Sequence, residues 1–361
     1  AVSCKKGKLA EIRGIDMNIL ESRLYQEDLQ KSLSSVVDIE KLKDNKILIT
    51  GATGLVCSAI VDLLISVDLG ITVYAAGRTE AKVIERFGGQ VEFVPYDATK
   101  PIGFDVAVDY IIHGASNASP NLYVNEPVET MQANINGMQA LLEYARKKNV
   151  KKVIYVSSSE VYGRKESIEP FKEDQYGFID LLNPRSSYSI AKRATETMCA
   201  SYQSEYGVQF NVVRLGHIYG PSATKSDKRV SSDFAYKAAT GENLTMKSEG
   251  KQIRSYCYSL DCASAILTVM IKGNAGEAYN ISNRNSIINI RQMAEYLSSA
   301  GGVELSFDIP AQSEAAAFNP MDNSSLDSTK LEELGWSGAF SAEEGLKHTT
   351  KILQELFVQK R

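Results

Sequence analysis

The regular alternation of apolar strands with helical stretches constrains this chain more than any other feature of its sequence. From Lys46 onward the runs KILIT, ITVYAAG, VEFVPYD, DYIIHGAS, KKVIYVSS and FNVVRLG recur, separated by helical segments such as 128–148 and 188–206. Such alternation is typical of a parallel sheet that is covered by helices on both faces. We therefore predict an α/β fold with a doubly wound parallel sheet of the Rossmann type and a smaller C-terminal α/β lobe.

The same pattern divides the chain into three parts. Residues 1–45 are polar apart from one amphipathic stretch, Ile19 to Leu33, which predicts an N-terminal helical extension. We expect residues 46–215 to form the sheet domain, with 255–283 returning to it. Residues 216–361 begin with a polar loop and then mix helices with short strands, which predicts a lobe that mainly binds substrate.

Composition excludes several classes of protein. The net charge is -4 over 361 residues and no long run of Lys or Arg is present, which argues against nucleic-acid binding. The five cysteines form no CxxC pair and no ligand-like spacing with the three histidines, so we expect reduced thiols and no metal site. No apolar run reaches membrane-spanning length and no signal-peptide core is present. We therefore predict a cytoplasmic protein without a membrane partner.

The stretch ITGATGLVC predicts a phosphate-binding turn between the first strand and the first helix of the sheet domain. The first glycine of such a turn makes the tight bend, and the second lets the backbone approach a pyrophosphate at the helix N-terminus. The third small position is occupied by Cys57, but that position governs helix–strand packing and not phosphate contact. The predicted contacts to a dinucleotide in this turn are Gly51, Thr53, Gly54, Leu55 and Val56.

Later strand ends extend the predicted dinucleotide site. Asp97 and Ala98 close the third strand, where an Asp often reaches adenine, and the fourth strand ends beside the expected pyrophosphate and ribose at His113, Gly114, Ala115 and Ser116. Asn134 either lines this pocket or holds strand and helix together. The second strand ends at Arg78 and not at an acidic residue, so a 2′-phosphate could be accommodated there. NADP therefore stays open beside NAD.

The stretch YSIAK places a phenol and an ammonium one helical turn apart on one helix face. Such a cation, together with an oxidised nicotinamide, lowers the phenol pKa until it can act as a base near neutrality. Upstream, SSSEVYG follows the fifth strand and offers hydroxyls to the same cleft. This ordered set predicts a catalytic site made of Ser158, Glu160, Tyr188 and Lys192.

The order GATGLVC, HGAS, SSSEVYG, YSIAK and RLGHIYGP resembles the extended short-chain dehydrogenase/reductase superfamily over about residues 46 to 350. Within it, the segments ASNASPNLYVNEP, NPRSSYSIAKRATETMCASY, DKRVSSDF and GKQIRSYCYSLD look most like UDP-glucuronate decarboxylases. The resemblance implies a tightly held and recycled NAD, a nucleotide-sugar substrate, and a homodimer formed through two long helices.

The resemblance also implies roles for individual residues on the substrate side. Ser158 would contact the substrate O4 and Tyr188, while Ser159 and Glu160 would surround the glucuronate C5 and carboxylate. Arg254 would lie near that carboxylate. The other substrate contacts that the resemblance implies are Tyr123, Arg185, His217, Arg229 and Val230.

The chain departs from the decarboxylases at several substrate-side positions. His217 replaces the usual Asn, Ser222 stands where the family has Arg, and residues 322–325 lack a basic residue. We expect these departures to bear on the identity of the nucleotide and the sugar. The expected reaction is decarboxylation of UDP-glucuronate through a transient C4 ketone.

Three alternatives remain open on the sequence. A C4 epimerase needs only Tyr, Ser and a pocket in which the ketone can rotate. A 4,6-dehydratase normally uses an Asp–Glu pair, whereas Ser159–Glu160 supplies one carboxylate. A non-enzymatic dinucleotide sensor would typically have lost the Tyr or the Lys, and both are intact here.

Overall fold

The computed structural model describes residues 18–116, 120–309 and 321–358, and a seven-stranded parallel sheet forms its centre. The strand order is β3-β2-β1-β4-β5-β6-β10. Its members are β1 (Lys46–Thr50), β2 (Thr72–Gly77), β3 (Glu92–Pro95), β4 (Tyr110–His113), β5 (Lys152–Ser158), β6 (Phe210–Leu215) and β10 (Glu277–Ile281). The order reverses between β1 and β4, where doubly wound sheets bind ligands at the carboxyl ends of their strands. The predicted fold class is confirmed.

Helices cover both faces of this sheet because its strands are apolar on both sides. Along β1, Ile47 and Ile49 belong to one core and Leu48 to the other, all three fully buried. The first core packs under α2 (Leu55–Ile65), α3 (Glu80–Phe87) and α8 (Ser259–Lys272), and the second under α5 (Pro127–Lys148) and α6 (Ser187–Tyr206). The short helix α4 (Pro120–Asn125) precedes α5.

The C-terminal lobe is smaller and contains two short sheets. One has the order β11-β9-β7, and the other pairs β12 with β8. The strands are β7 (His217–Tyr219), β8 (Leu244–Met246), β9 (Ile253–Tyr258), β11 (Ile287–Asn289) and β12 (Leu305–Phe307), and the helices are α7 (Val230–Thr240), α9 (Ile290–Gly301), α10 (Thr329–Glu332) and α11 (Ala342–Val358). Between these elements the chain returns to the central sheet through α8 and β10. The exact division into lobes stays a prediction.

The N-terminal extension forms a shorter α-helix than predicted. Helix α1 spans Arg23–Leu33, and a 3₁₀ turn precedes it at Ile19–Glu21. The predicted start at Ile19 was wrong because Ser22 caps the helix, its hydroxyl accepting from the Tyr25 N–H at 3.2 Å. Residues 1–17 of the predicted extension lie outside the described residues.

Helix α1 is anchored to both parts of the molecule. The Tyr25 phenol donates to Asp62 of α2 at 2.7 Å, and the Tyr258 phenol of β9 donates to Asp28 at 2.9 Å. His348 of α11 contacts the other oxygen of Asp28 at 2.8 Å. Because Tyr25 and Asp28 are buried, helix α1 is part of the folded core and not an appendage.

The helices of the described residues include none that is long and apolar enough to cross a membrane.

Candidate active site

The turn after β1 is shaped by close backbone contact with the end of β4. Gly51 has a φ of 70°, which favours glycine, and a Cβ there would lie 3.0 Å from the Ala115 nitrogen. Gly54 caps α2 without a side-chain hydrogen bond, so the amide groups of the first turn, at Leu55 and Val56, remain available to an anion. Thr53 lies half-buried between the two glycines. This is a cradle that a side chain would fill, and it fits a pyrophosphate.

Cys57 and Gly114 form a complementary pair behind this turn. The Cys57 side chain is buried, and a Cβ at Gly114 would overlap its sulfur. Gly114, directly after β4, therefore leaves room for the Cys57 thiol of α2. Burial raises the pKa of the Cys57 thiol to about 12, so the thiol remains protonated and unreactive.

His113 is a buried residue that holds the loop after β4 in place through Thr50. Its Nδ1 lies 2.7 Å from the Thr50 hydroxyl, whose oxygen also accepts from the Ala115 N–H at 3.2 Å. Burial, with a smaller effect from Lys192, lowers the pKa of His113 to about 3. With 1% of its surface exposed, the neutral ring fixes the loop after β4, and its side chain does not reach an open pocket.

Asn134 is a buried link between that loop and two helices. Its Oδ1 accepts from the Ser116 hydroxyl at 3.0 Å, and its Nδ2 donates to the Thr130 carbonyl at 2.8 Å. The Thr195 hydroxyl of α6 donates to the Asn134 carbonyl at 3.3 Å. The sequence left two roles open for Asn134, lining the cofactor pocket or holding strand and helix together. These hydrogen bonds fit the second role.

The adenine end of the predicted cofactor site contains a cation and a carboxylate. Arg78 is exposed directly after β2, and Asp97 follows β3. The Thr99 N–H and hydroxyl hold the pKa of Asp97 below its usual value, with Lys100 and Arg78 contributing. Ala98 lies against Gly137 of α5. The residues present thus fit a dinucleotide from the pyrophosphate cradle to the adenine end.

Helix α6 and the end of β5 bring together the predicted acid–base set. The Lys192 Nζ donates to the Val156 carbonyl at 2.8 Å and lies 5.6 Å from the centre of the Tyr188 ring. The Ser158 hydroxyl lies close enough to the Tyr188 phenol to affect its pKa. Burial raises the pKa of Tyr188 above its usual value, and Ser158 opposes that rise. Burial lowers the pKa of Lys192 to about 7, with Glu196 opposing.

The substrate side of Tyr188 begins with an aromatic stack. The Tyr123 ring lies 5.1 Å from the Tyr188 ring at an angle of 18°. Burial and the Glu160 charge raise the pKa of Tyr123 to about 12. The Arg185 guanidinium lies 5.8 Å from the centre of the Tyr123 ring. Arg185 also lines a neighbouring cavity.

That cavity has a volume of about 310 Å³, and its lining includes four residues predicted to contact the substrate: Ser159, Glu160, Arg185 and His217. The Ser189 hydroxyl donates to Glu160 at 3.3 Å, and the Glu160 N–H donates to the Ser158 oxygen at 3.2 Å. The carboxylate is therefore tied to the acid–base set. The polar lining of the cavity includes Ser159, Glu160, Arg164, Arg185, Ser189, His217 and Ser324.

Arg254 of β9 is 3% exposed and lies near this cavity. Its Nη1 donates to the carbonyls of Ile253 and Met321 at 2.7 and 3.1 Å. Among the described residues, no acceptor contacts its Nε or Nη2. Burial lowers its pKa, while Tyr256 and Glu160 oppose that shift. Arg254 thus has donors left for an anionic ligand.

His217 lies opposite Tyr256 on the neighbouring strand and faces the cavity. His217 is exposed to the cleft, and the surrounding protein atoms, then the charges of Arg254 and Arg229, lower its pKa, so the ring is neutral at pH 7. Arg229 itself pairs with Asp227 at 2.5 Å, directly before the exposed Val230 at the start of α7. These residues are placed around one cleft, and their contacts with a substrate stay predictions.

Sequence analysis did not predict six polar residues that line the cavity: Arg164, Asp180, Asn183, Ser186, Ser189 and Ser324. Ser189 follows Tyr188 directly and Arg164 follows SSSEVYG, so proximity to those motifs was the available signal. Ser324 belongs to the segment 322–325, which was noted only for lacking a basic residue. Ser222 lies instead beside the Tyr25 phenol of α1.

Comparison with known proteins agrees with this architecture. The model of the NAD dependent epimerase/dehydratase family matches residues 47–282. UDP-glucuronic acid decarboxylase 1 from Xenopus tropicalis is 33% identical over 315 residues, which cover 85% of this chain and 72% of that protein. The structure of a UDP-glucose 4-epimerase from Thermotoga maritima with UDP-glucose has a TM-score of 0.74 and 28% identity, and it covers 86% of this chain and 99% of that one.

A UDP-glucuronic acid 4-epimerase from Bacillus cereus, in complex with UDP-glucuronic acid and NAD, has a TM-score of 0.72. It covers 86% of this chain and 100% of that one, and at 21% identity it supports the fold alone. The resemblance to extended short-chain dehydrogenases is confirmed, and the chain belongs to the NAD dependent epimerase/dehydratase family.

Proposed function

We propose that this protein is an NAD-dependent enzyme that converts UDP-glucuronate to UDP-xylose and CO₂. The observation that carries the proposal is the position of Arg254, a buried guanidinium beside the cavity that contains Glu160, whose Nε and Nη2 have no acceptor among the residues that the structure describes. A buried cation of this kind is suited to an anionic group on the substrate. Similarity to UDP-glucuronic acid decarboxylase 1 supports the same reaction.

Tyr188 performs the first proton transfer. As a phenolate it accepts the proton of the sugar O4, while the nearby Ser158 hydroxyl, which lowers the pKa of the phenol, orients both groups. Lys192 lies beside the ring and favours the phenolate by its charge. The chemistry that bound NAD would supply is removal of a hydride from C4 and its return at the end of the cycle.

The carboxylate is lost in the second step. A ketone at C4 is β to the C6 carboxylate, so the C5–C6 bond breaks, its electron pair enters the enolate and CO₂ leaves. Arg254 binds and orients the carboxylate before this step. Glu160, or a water molecule that it holds, then returns a proton to C5.

We propose NAD over NADP because Arg78 is not alone at the adenine end. The carboxylate of Asp97 lies within electrostatic range of that guanidinium, and it would repel a 2′-phosphate. A cycle that returns its hydride needs no cofactor exchange, so NAD should co-purify. Mass spectrometry of the supernatant from the denatured protein tests this, and NADP as the bound nucleotide would contradict it.

We also propose a homodimer through α5 and α6, as the resemblance implies. Ile190, Ala194 and Thr197 are exposed or half-buried along α6 and leave an uncharged strip on its surface. Light scattering should give twice the chain mass, and Ala194→Arg should give the monomer. A monomeric wild-type protein would contradict the proposal.

The decisive experiment is a mass-spectrometric and NMR assay of UDP-, dTDP-, GDP- and CDP-sugars with the purified protein. The expected result is loss of one CO₂ mass from UDP-glucuronate and the proton spectrum of UDP-xylose. Unchanged UDP-glucuronate together with turnover of another sugar would overturn the assignment.

C4 epimerisation is the second candidate, favoured by the structural similarity to a UDP-glucose 4-epimerase at 28% identity. It uses the same Tyr188 and Ser158, and it gives a product of unchanged mass. Loss of water from a hexose would instead indicate a dehydratase in which Glu160 acts without a neighbouring Asp.

A further inference from the structure

A buried ion pair lies beneath the acid–base set and joins α6 to the central sheet. Glu196 follows Lys192 by one helical turn, and Arg214 lies on β6. The Arg214 Nη2 donates to Glu196 Oε2 at 2.7 Å, and its Nε lies 3.2 Å from both carboxylate oxygens. The Ser157 hydroxyl of β5 donates to Oε1 at 2.5 Å. The pair is shielded from water, with Arg214 2% and Glu196 12% exposed.

Arg214 has no donor left for a ligand. Its Nη1 donates to the Tyr162 phenol at 3.1 Å and to the Glu173 carbonyl at 2.7 Å, and its Nη2 also donates to the Tyr176 phenol at 2.8 Å. A guanidinium has five N–H groups, and each of them is directed at one of these acceptors or at Glu196. Arg214 therefore holds Glu196 in place and does not act on substrate.

Consecutive residues of β5 are bonded to successive turns of α6. The Val156 carbonyl accepts from Lys192, the Ser157 hydroxyl donates to Glu196, and the Ser158 hydroxyl contacts Tyr188. The strand end that carries Ser158 is thus fixed on both sides of Lys192.

Resting on the acid–base roles proposed for Tyr188 and Lys192, we propose that Glu196 is a positioning residue for the reaction. Its carboxylate anchors Ser157, and through it the adjacent Ser158, and it places a negative charge one turn from the Lys192 ammonium.

Electrostatics support the second part of this role. Burial lowers the pKa of Lys192 to about 7, and Glu196 is the largest influence that opposes the shift. The other titratable groups that face Lys192 come from α2, β4, β5 and α6: Cys57, His113, Tyr155, Tyr188 and Cys199. Without a bound cofactor their shifted pKa values keep them neutral at pH 7, so within this set the negative charge beside Lys192 comes from Glu196, which pairs with Arg214.

The test is Glu196→Gln, with Glu332→Gln as a matched control. Glu332 also accepts from an arginine, Arg284, and from a serine hydroxyl, that of Ser328, but it lies in the C-terminal lobe on α10. Loss of the Glu196 charge should move the basic limb of the kcat pH profile about one unit lower and reduce kcat at neutral pH roughly tenfold, with little change in KM. The profile is measured on whichever nucleotide sugar is turned over. An unmoved limb, or an equal shift in Glu332→Gln, overturns the proposal.

A second readout does not depend on the identity of the substrate. The ¹³Cε resonance of Lys192, assigned by its loss in Lys192→Met, should titrate near pH 7 in the wild-type protein and at lower pH in Glu196→Gln. Equal Lys192 midpoints in the wild-type protein and Glu196→Gln would overturn the proposal. This result does not depend on whether the decarboxylase assignment is correct. If the Gln variant does not fold, Ser157→Ala decides, because it leaves the ion pair intact. It should reduce kcat several-fold without moving the Lys192 midpoint, and a wild-type kcat overturns the anchoring role.

Discussion

The cofactor side and the sugar side of Tyr188 are built by different physical means. On the cofactor side, backbones approach closely: Gly51 lies against Ala115, and Gly114 lies against Cys57. On the sugar side, charged side chains such as Glu160 and Arg185 line a cavity of about 310 Å³. Close contacts permit few backbone shapes, whereas a charged cavity can be altered by a single side chain. The difference teaches that the class of cofactor follows from the shape of the fold, while the substrate depends on the identity of a few residues.

Tyr188 belongs to both sides, so its loss should have the largest effect. Tyr188→Phe removes the proton acceptor and should reduce kcat roughly 10²–10⁴-fold, since general-base catalysis contributes about that much. Bound nucleotide should be retained, because the glycine cradle is untouched. Turnover and nucleotide content of the purified variant are the measurements. Tyr206→Phe, at the exposed end of the same helix, is the control. A near-normal kcat would remove Tyr188 from the mechanism.

The sugar side should respond next, through Arg254. Arg254→Ala should reduce kcat/KM for UDP-glucuronate roughly 100-fold, because a charge-assisted hydrogen bond in a buried site contributes about 1.5–3 kcal/mol. Nucleotide content should not change, which separates the two sides. Arg291→Ala, an exposed arginine of the same lobe, is the control. Unchanged kcat/KM in Arg254→Ala would contradict carboxylate binding by this residue.

The cofactor side should respond to added bulk rather than to lost charge. Gly114→Ala brings a methyl group into the Cys57 sulfur and should lower the free energy of unfolding by about 2 kcal/mol, as overpacking does. Cys57→Gly in the same chain should restore part of that loss. Urea denaturation of both single variants and the double variant measures the coupling. Gly89→Ala, where a Cβ meets no atom within 4 Å, is the control. Strict additivity would falsify the contact account.

The smallest effect concerns the neutral His113 in the cofactor half. Its folded pKa of about 3 lies below the unfolded value of about 6.5, so the unfolded chain binds more protons between these values. The resulting stability is complete above pH 6.5 and declines as the pH falls toward 3. Between pH 7.5 and 5.5 the wild-type protein should lose roughly 1 kcal/mol more than His113→Gln. Equal losses in thermal or urea unfolding would show that the ring is not kept neutral.

Sequence analysis was strongest where a function depends on local spacing. Tyr188 and Lys192 lie one turn apart in any helix, and Ser158 follows a strand that must end at the same sheet edge. The doubly wound sheet and the glycine turn could be predicted for the same reason. The structure brings these groups together as expected.

Contacts between distant segments could not be predicted. The Cys57 thiol fits only because Gly114 has no side chain. This packing depends on how closely α2 approaches the end of β4, which no local sequence pattern encodes. The Ser189–Glu160 hydrogen bond depends on the course of the chain between β5 and α6. The start of α1 was also predicted wrongly. The amphipathic pattern begins at Ile19, but the helix begins only after Ser22, whose hydroxyl caps it.

Helix α1 changes what counts as a complete unit of this protein. The family match begins at residue 47, yet Tyr25 and Asp28 are buried against α2, β9 and α11. A chain begun at the family boundary would leave the Asp62 carboxylate without its phenol and would expose the apolar surface that Leu29 covers. Expression fragments and chimeras should therefore keep the chain from at least residue 18, because the unit that folds here begins before the segment that the family model matches.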